Sequence, residues 1–127
     1  MSKPRILIVD DEPHMLNIMS RALELILYNT QTANNAQTAL ELVHAAPPDA
    51  IMIDLKMPFI NGLGFLHRLR ETHPDLPVAI VTSTPALDDT TLTEIRSLGA
   101  DLRFKPITIA EIQALARHLV ARRRRLQ

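Results

Sequence analysis

Five side chains in this sequence carry chemistry that none could perform alone: Asp10, Asp11, Asp54, Thr82 and Lys105. Each stands just after a short apolar run or at its close: Ile6 to Val9, Ala50 to Ile53, Val78 to Val81 and Leu102 to Phe104. Two or three carboxylates in one crevice repel one another, which raises their pKa values and destabilises the fold. A hard divalent cation relieves that repulsion, and an oxygen donor set without His or Cys suits Mg2+ rather than zinc. Carboxylates, Mg2+, an ammonium group and a hydroxyl are also the parts that phosphoryl transfer uses. Cations neutralise the equatorial oxygens and the hydroxyl donates a hydrogen bond. A carboxylate placed in line can itself attack phosphorus and form an acyl phosphate. Asp54 is the candidate nucleophile.

For these residues to meet, the chain must deliver them from distant segments to one place. Continuous apolar runs of four residues mark strands buried on both faces of a parallel sheet. Ile6–Val9, Ala50–Ile53 and Val78–Val81 are such runs, while Thr30–Ala33 and Leu102–Phe104 predict two shorter strands, the first at an edge. Between them lie helical patterns. From His14 to Tyr28, the residues Met15, Ile18, Met19, Ala22, Leu23 and Ile26 recur at three- and four-residue steps after Pro13. Further helices are predicted from Asn34 or Asn35 to about Ala45, from Gly62 to His73-Pro74, from Asp88 to Leu98 with Gly99 as its stop, and from Thr108 onward. Strand and helix alternate five times. That order predicts an α/β fold: a doubly wound, five-stranded parallel sheet with helices on both faces and right-handed crossovers. All strand C-termini then lie along one edge, where open α/β sheets keep their sites.

Composition narrows the classes. A chain of 127 residues with 46% hydrophobic and 22% charged residues predicts one domain with a real core. Zero formal net charge excludes a general polyanion binder, and the absence of Cys excludes disulfides and a thiolate nucleophile. No apolar run approaches a membrane span and Met1–Arg5 lacks the layout of a signal peptide, so a cytoplasmic protein without membrane contact is expected. His14, His44, His67, His73 and His118 show no metal-ligand spacing and are read as solvated. Residues 1–121 are read as the domain and 122–127, with Arg122 to Arg125, as a basic, helix-ending tail whose cations suit the dipole, or as the start of a linker.

Asp10-Asp11 after the first strand, Asp54-Leu-Lys-Met-Pro with Asn61-Gly62, Thr82 after the fourth strand and Lys105-Pro106 after the fifth resemble the receiver domain of two-component response regulators over nearly the whole chain. The resemblance implies a flavodoxin-like (βα)5 fold with strand order 2-1-3-4-5. It implies that Asp54 accepts a phosphoryl group from a phosphohistidine of a sensor histidine kinase or histidine phosphotransfer protein. Asp11 would bind Mg2+ directly, Asp10 through water, and the backbone carbonyl of Lys56 would be the third protein ligand, beside Asp54. Thr82 would hydrogen-bond the phosphoryl group and Lys105 would pair with it, its peptide to Pro106 being cis. Lys56 and Thr84 would flank the water path that sets the phosphoaspartate lifetime. Such a domain is no general enzyme: it catalyses only its own phosphorylation and dephosphorylation. Its output, to a downstream effector or a homodimer, is expected on the face of the fourth helix, fifth strand and last helix, including Leu92, Ile95, Arg96 and Leu102. Nucleic acid would be met only through a missing output domain.

The chain departs from the pattern at Leu102, where many receivers carry Tyr or Phe, and the segment from Gly99 to Lys105 is one residue short, with Arg103 at a usually apolar place. Three other readings compete. A phosphatase of the aspartate-nucleophile type needs an acid two residues after the nucleophile, where Lys56 stands. A mononucleotide binder needs a phosphate-cradling loop after the first strand, where Asp10-Asp11-Glu12 would repel phosphate. A phosphorylation-independent interaction module would not need the acids and the lysine.

Overall fold

The computed structural model describes residues 3–57, 59–84 and 86–126, with no account of the Leu126 side chain. Pro58 of the Met57-Pro58 pair and Gln127 of the tail lie outside them. Strands and helices alternate: β1 (Arg5–Val9), α1 (Pro13–Glu24), β2 (Asn29–Ala33), α2 (Ala36–Ala45), β3 (Ala50–Ile53), α3 (Gly62–Thr72), β4 (Val78–Thr82), α4 (Asp89–Ser97), β5 (Asp101–Phe104) and α5 (Ile109–Leu126). The five strands form one parallel sheet in the order β2-β1-β3-β4-β5. This is the expected doubly wound architecture.

Alternation along each strand explains why the inner runs are apolar without a break. In β1, Leu7 and Val9 face α2 and α3, while Ile6 and Ile8 face α1 and α5. Ile51 and Ile53 of β3 join the first layer and Met52 the second. Phe65, Leu66 and Leu69 close one face and Leu23, Ala116 and Leu119 the other, all fully buried. Each such large side chain contributes about 1.5–3 kcal/mol through removal from water.

Caps end the helices where loop chemistry predicts. Asn35 Oδ1 accepts from Thr38 N (2.8 Å), Asn61 Oδ1 from Gly64 N (2.8 Å) and Asp88 Oδ1 from Thr91 N (2.7 Å). Thr108 and Glu111 cap α5 reciprocally, Glu111 N donating to Thr108 Oγ1 and Thr108 N to Glu111 Oε1. Gly99 takes φ +72° after α4, the left-handed turn that favours glycine.

One boundary and one residue's burial differ from the sequence reading. α1 stops at Glu24, not Tyr28, because Leu27 adopts φ +65° and Tyr28 N turns back to Leu23 O (3.1 Å). α5 ends in the arginine run, which neither Gly nor Pro interrupts, and Arg122 is fastened by Asp101 and the Gly99 carbonyl. Ile95, expected on an exposed output face, is 1% exposed and belongs to the core. It lies on the apolar stripe of α4 that packs onto the sheet, whereas Arg96 is exposed.

Candidate functional site

Register brings the acids together. β1 and β3 are central neighbours, with Val9 opposite Ile53, so the next residues, Asp10 and Asp54, leave the sheet side by side. Asp54 N donates to Val9 O (3.0 Å) and Asp10 N to Ala33 O (3.1 Å), which holds both backbones at the edge. Pro13 opens α1 in place of a capping side chain; Asp10 Oδ1 instead accepts from Glu12 N (3.0 Å). Asp10, Asp11 and Asp54 each offer an oxygen within 4.8 Å of the others, with Asp10 and Asp54 buried and Asp11 exposed.

β5 contributes the cation. Lys105 N donates to Thr82 O (2.8 Å), and the Lys105–Pro106 peptide is cis. The ammonium reaches back across the sheet edge to Asp10 Oδ2 at 2.8 Å and lies 3.7 Å from Asp54 Oδ2. Its hydrogen bond therefore goes to Asp10, and its approach to Asp54 is electrostatic. Thr82 is completely buried; its hydroxyl donates to Thr84 Oγ1 and accepts from Thr84 N, both at 3.2 Å. Thr84, expected beside a water path, thus also orients Thr82.

Glycine shapes the opposite wall. Gly62 N bonds to Leu55 O (2.9 Å), and a Cβ at Gly62 would overlap the Asp54 carbonyl oxygen. No side chain fits where the loop folds back over the Asp54 backbone. An open crevice of about 550 Å3 adjoins the acids, lined by Asp11, Lys56, Met57 and Asn61 on one side and by Thr84, Leu87 and Thr91 on the other. The Lys56 side chain is exposed on that wall. Leu87 and Thr91 escaped the sequence reading; their place in the loop after β4 and in the first turn of α4 was the available signal.

The electrostatics follow from this geometry. Asp54 titrates above the ordinary carboxylate value of 3.8, chiefly because burial penalises its charge; Lys105 opposes that shift, Asp10 adds to it, the Lys56 backbone N–H opposes it, and Asp11 adds to it. Asp54 Oδ1 is buried without a hydrogen-bond partner. A buried carboxylate with an orphaned oxygen, clustered with two further acids, is a poor internal arrangement and a good cation site. The oxygen-only donor set fits a hard divalent metal held by Asp10, Asp11 and Asp54.

Fold and site together define a doubly wound α/β domain with an acid pocket at the C-terminal edge of its sheet. The chain belongs to the response regulator receiver domain family, whose model matches residues 6–117. It is 33% identical over 117 residues to the probable transcriptional regulatory protein TcrX of Mycobacterium tuberculosis, covering 92% of this chain and 50% of that protein. It is 32% identical to the response regulator protein PilR of Pseudomonas aeruginosa, covering 91% of this chain and 26% of the relative. The chain thus spans about half the length of TcrX and less of PilR. In fold it is similar to a CheY-like receiver domain protein from Methanospirillum hungatei, with a TM-score of 0.91, 22% identity and coverage of 99% and 100% of the two chains. Among the described residues, no helix is long and apolar enough to cross a membrane.

Proposed function

We propose that this chain is a cytoplasmic phosphoacceptor that takes a phosphoryl group on Asp54 from a phosphohistidine of a sensor histidine kinase or histidine phosphotransfer protein. The observation that carries this reading is the unpartnered Asp54 oxygen, buried beside Asp10 and Asp11 with Lys105 Nζ at 3.7 Å from its sibling. In the step, an Asp54 oxygen attacks phosphorus, the P–N bond breaks, and its electron pair returns to the imidazole nitrogen, which takes up a proton from solvent. Asp10, Asp11 and Asp54, with the Lys56 carbonyl, would hold Mg2+, which would supply charge neutralisation for the incoming oxygens. Lys105 shifts from Asp10 toward the new charge, and the Thr82 hydroxyl exchanges Thr84 for a phosphoryl oxygen. Hydrolysis of the phosphoaspartate by water returns the acid, so the domain turns over only its own modification.

The added charge and its new partners bias the segment from Thr82 through α4 and β5, and with it the binding of an effector, a second copy or an output domain. Leu92, Arg96 and Leu102 supply the accessible part of that face; Ile95 does not. The test is labelling. Wild type takes label from acetyl phosphate with Mg2+ and loses it with chelator, whereas Asp54→Asn takes none. Label persisting on Asp54→Asn refutes the assignment, and a folded wild type that binds no Mg2+ and takes no label favours the phosphorylation-independent module.

A further inference from the structure

Folding brings together two histidines that the sequence keeps apart. His44 stands in the last turn of α2 and His73 is the C-cap of α3, so both lie at the sheet edge away from the acids. Their ring centroids are 6.0 Å apart and the rings are tilted by 52°. His44 is exposed and His73 half-buried, so ions in solvent reach both. An imidazole nitrogen lies about 1 Å from its ring centre and binds zinc at about 2.0–2.1 Å, which puts an ion about 3 Å beyond each centroid. One ion therefore spans two rings at the observed separation, with the exposed His44 ring turned toward it.

His73 is set up for such an ion. Thr72 Oγ1 donates to Leu69 O (3.4 Å) and so meets His73 Nδ1, 2.9 Å away, as an acceptor. That places the ring proton on Nδ1 and leaves the Nε2 lone pair bare. Metal-ligating histidines are oriented in this manner, the other ring nitrogen donating to a neighbouring oxygen. Charge state fits too, since metals bind the neutral imidazole. Burial holds the His73 pKa below its ordinary 6.5, and the neighbouring His44 and Arg123 add to that shift. Two helix C-termini meet here, and their dipoles favour a cation; Arg123 opposes one by its own charge.

We propose that His44 and His73 form a metal site separate from the acid cluster, which takes a borderline divalent transition metal such as Zn2+ and clips α2 to α3. Water completes the coordination. Imidazole suits zinc, copper and nickel, whereas Mg2+ prefers an all-oxygen set such as Asp10, Asp11 and Asp54. The two edges thereby sort cations by donor chemistry.

Calorimetric titration with Zn2+, in excess Mg2+ to occupy the acids, should find one zinc ion per chain. The melting temperature should rise by several degrees at a tenfold excess over the dissociation constant. His44→Phe keeps an aromatic ring against His73 but removes a ligand. It should melt within a few degrees of wild type without zinc and bind zinc at least about tenfold more weakly. Thr72→Val leaves both imidazoles and releases the His73 ring, which should also weaken binding about tenfold. Arg123→Gln should tighten it about threefold by removing a like charge. Zinc binding unchanged in His44→Phe overturns the proposal, because the contact is then ring packing alone. So does a wild type with no saturable zinc binding. A zinc-dependent dimer in sedimentation, with one ion per two chains, also overturns it, since the second imidazole then belongs to another copy. None of these measurements uses phosphoryl transfer, so the outcome is independent of the reading of Asp54.

Discussion

The two edges of the sheet treat charge in opposite ways. At the edge away from the acids, most arginine donors find carbonyls or a carboxylate, although Arg5 Nε is buried without a partner. Arg70 donates from Nε to Leu98 O (2.7 Å) and from Nη1 to His73 O (2.9 Å) and Leu76 O (2.7 Å). Arg122 donates to Asp101 and to Gly99 O, and Arg5 to the carbonyls of Ala46 (2.8 Å) and Pro47 (3.0 Å). These arginines collect the carbonyls that helices leave unpaired at their C-termini, tying α2, α3 and α4 to the strands that follow. Burial holds the Arg70 pKa below its usual value, with the nearby Arg122 adding to the shift and Asp75 opposing it. At the acid edge, one lysine serves two carboxylates and an Asp54 oxygen has no partner. One edge uses its charges to hold the chain together. The other keeps them short of partners, so that a ligand can supply what is missing.

The contrast predicts its largest effect at Arg70. Replacing it by Met leaves three helix-end and loop carbonyls without a donor, at a cost of about 3 kcal/mol. The melting temperature should fall by roughly 10 °C. Labelling of Asp54 by acetyl phosphate, measured well below the new midpoint, should stay at the wild-type rate. A melt unchanged by Arg70→Met would break the idea that this edge is the structural one.

Ligand supply at the acid edge should appear next. A cation that binds only the folded state stabilises by about 1.4 kcal/mol at a tenfold excess over its dissociation constant. Mg2+ should therefore raise the melting temperature of wild type by several degrees and leave Asp11→Asn nearly unmoved. An equal shift in both would place the cation elsewhere.

Removing the strained charge itself should help the fold. The folded Asp54 pKa lies above the ordinary 3.8, so between those two values the native state holds more protons than the unfolded chain. Stability then falls as pH rises through that window, and the loss is complete above the folded pKa. Asp54→Asn does not titrate there. It should exceed wild type in stability at neutral pH without Mg2+. That advantage should vanish as pH drops toward 3.8, where the wild-type carboxyl is already protonated. A difference that grows in acid would reverse the sign and refute the burial argument.

Much of this was legible from residue types because both edges are built on strand register. Unbroken apolar runs at Ile6–Val9, Ala50–Ile53 and Val78–Val81 could only be central strands, and their order put Asp10, Asp54 and Thr82 on one edge. What stayed hidden depends on local geometry that residue types do not encode. The sequence contains Asp54 and Lys105 but not the preference of the ammonium for Asp10. Phe59 gives no sign of φ +68°, since its loop conformation follows from how Asn61 and Gly62 are pinned. Ile95 does not join Leu92, Arg96 and Leu102 on a presented face, because the apolar stripe Leu92, Ile95, Leu98 faces the sheet. The helix end in the arginine run was legible, since no breaker stands between Ala121 and Leu126.

The smallest expected effect probes whether the acid edge also restrains its own hydroxyl. Thr82 has two bonds to Thr84, but only one uses its proton, the donation to Thr84 Oγ1. Thr84→Val removes that acceptor, keeps the branched shape and leaves the residue 84 N–H in place. The Thr82 proton is then free for an incoming phosphoryl oxygen, and affinity for beryllofluoride with Mg2+ should rise about threefold, the weight of one ordinary hydrogen bond. If Thr84 acts only on the path of the hydrolytic water, the same variant alters the lifetime of the phosphoaspartate and leaves beryllofluoride affinity untouched, because no water attacks the beryllium adduct. The two measurements on one variant therefore decide whether the hydroxyl pair restrains Thr82 or merely borders the crevice.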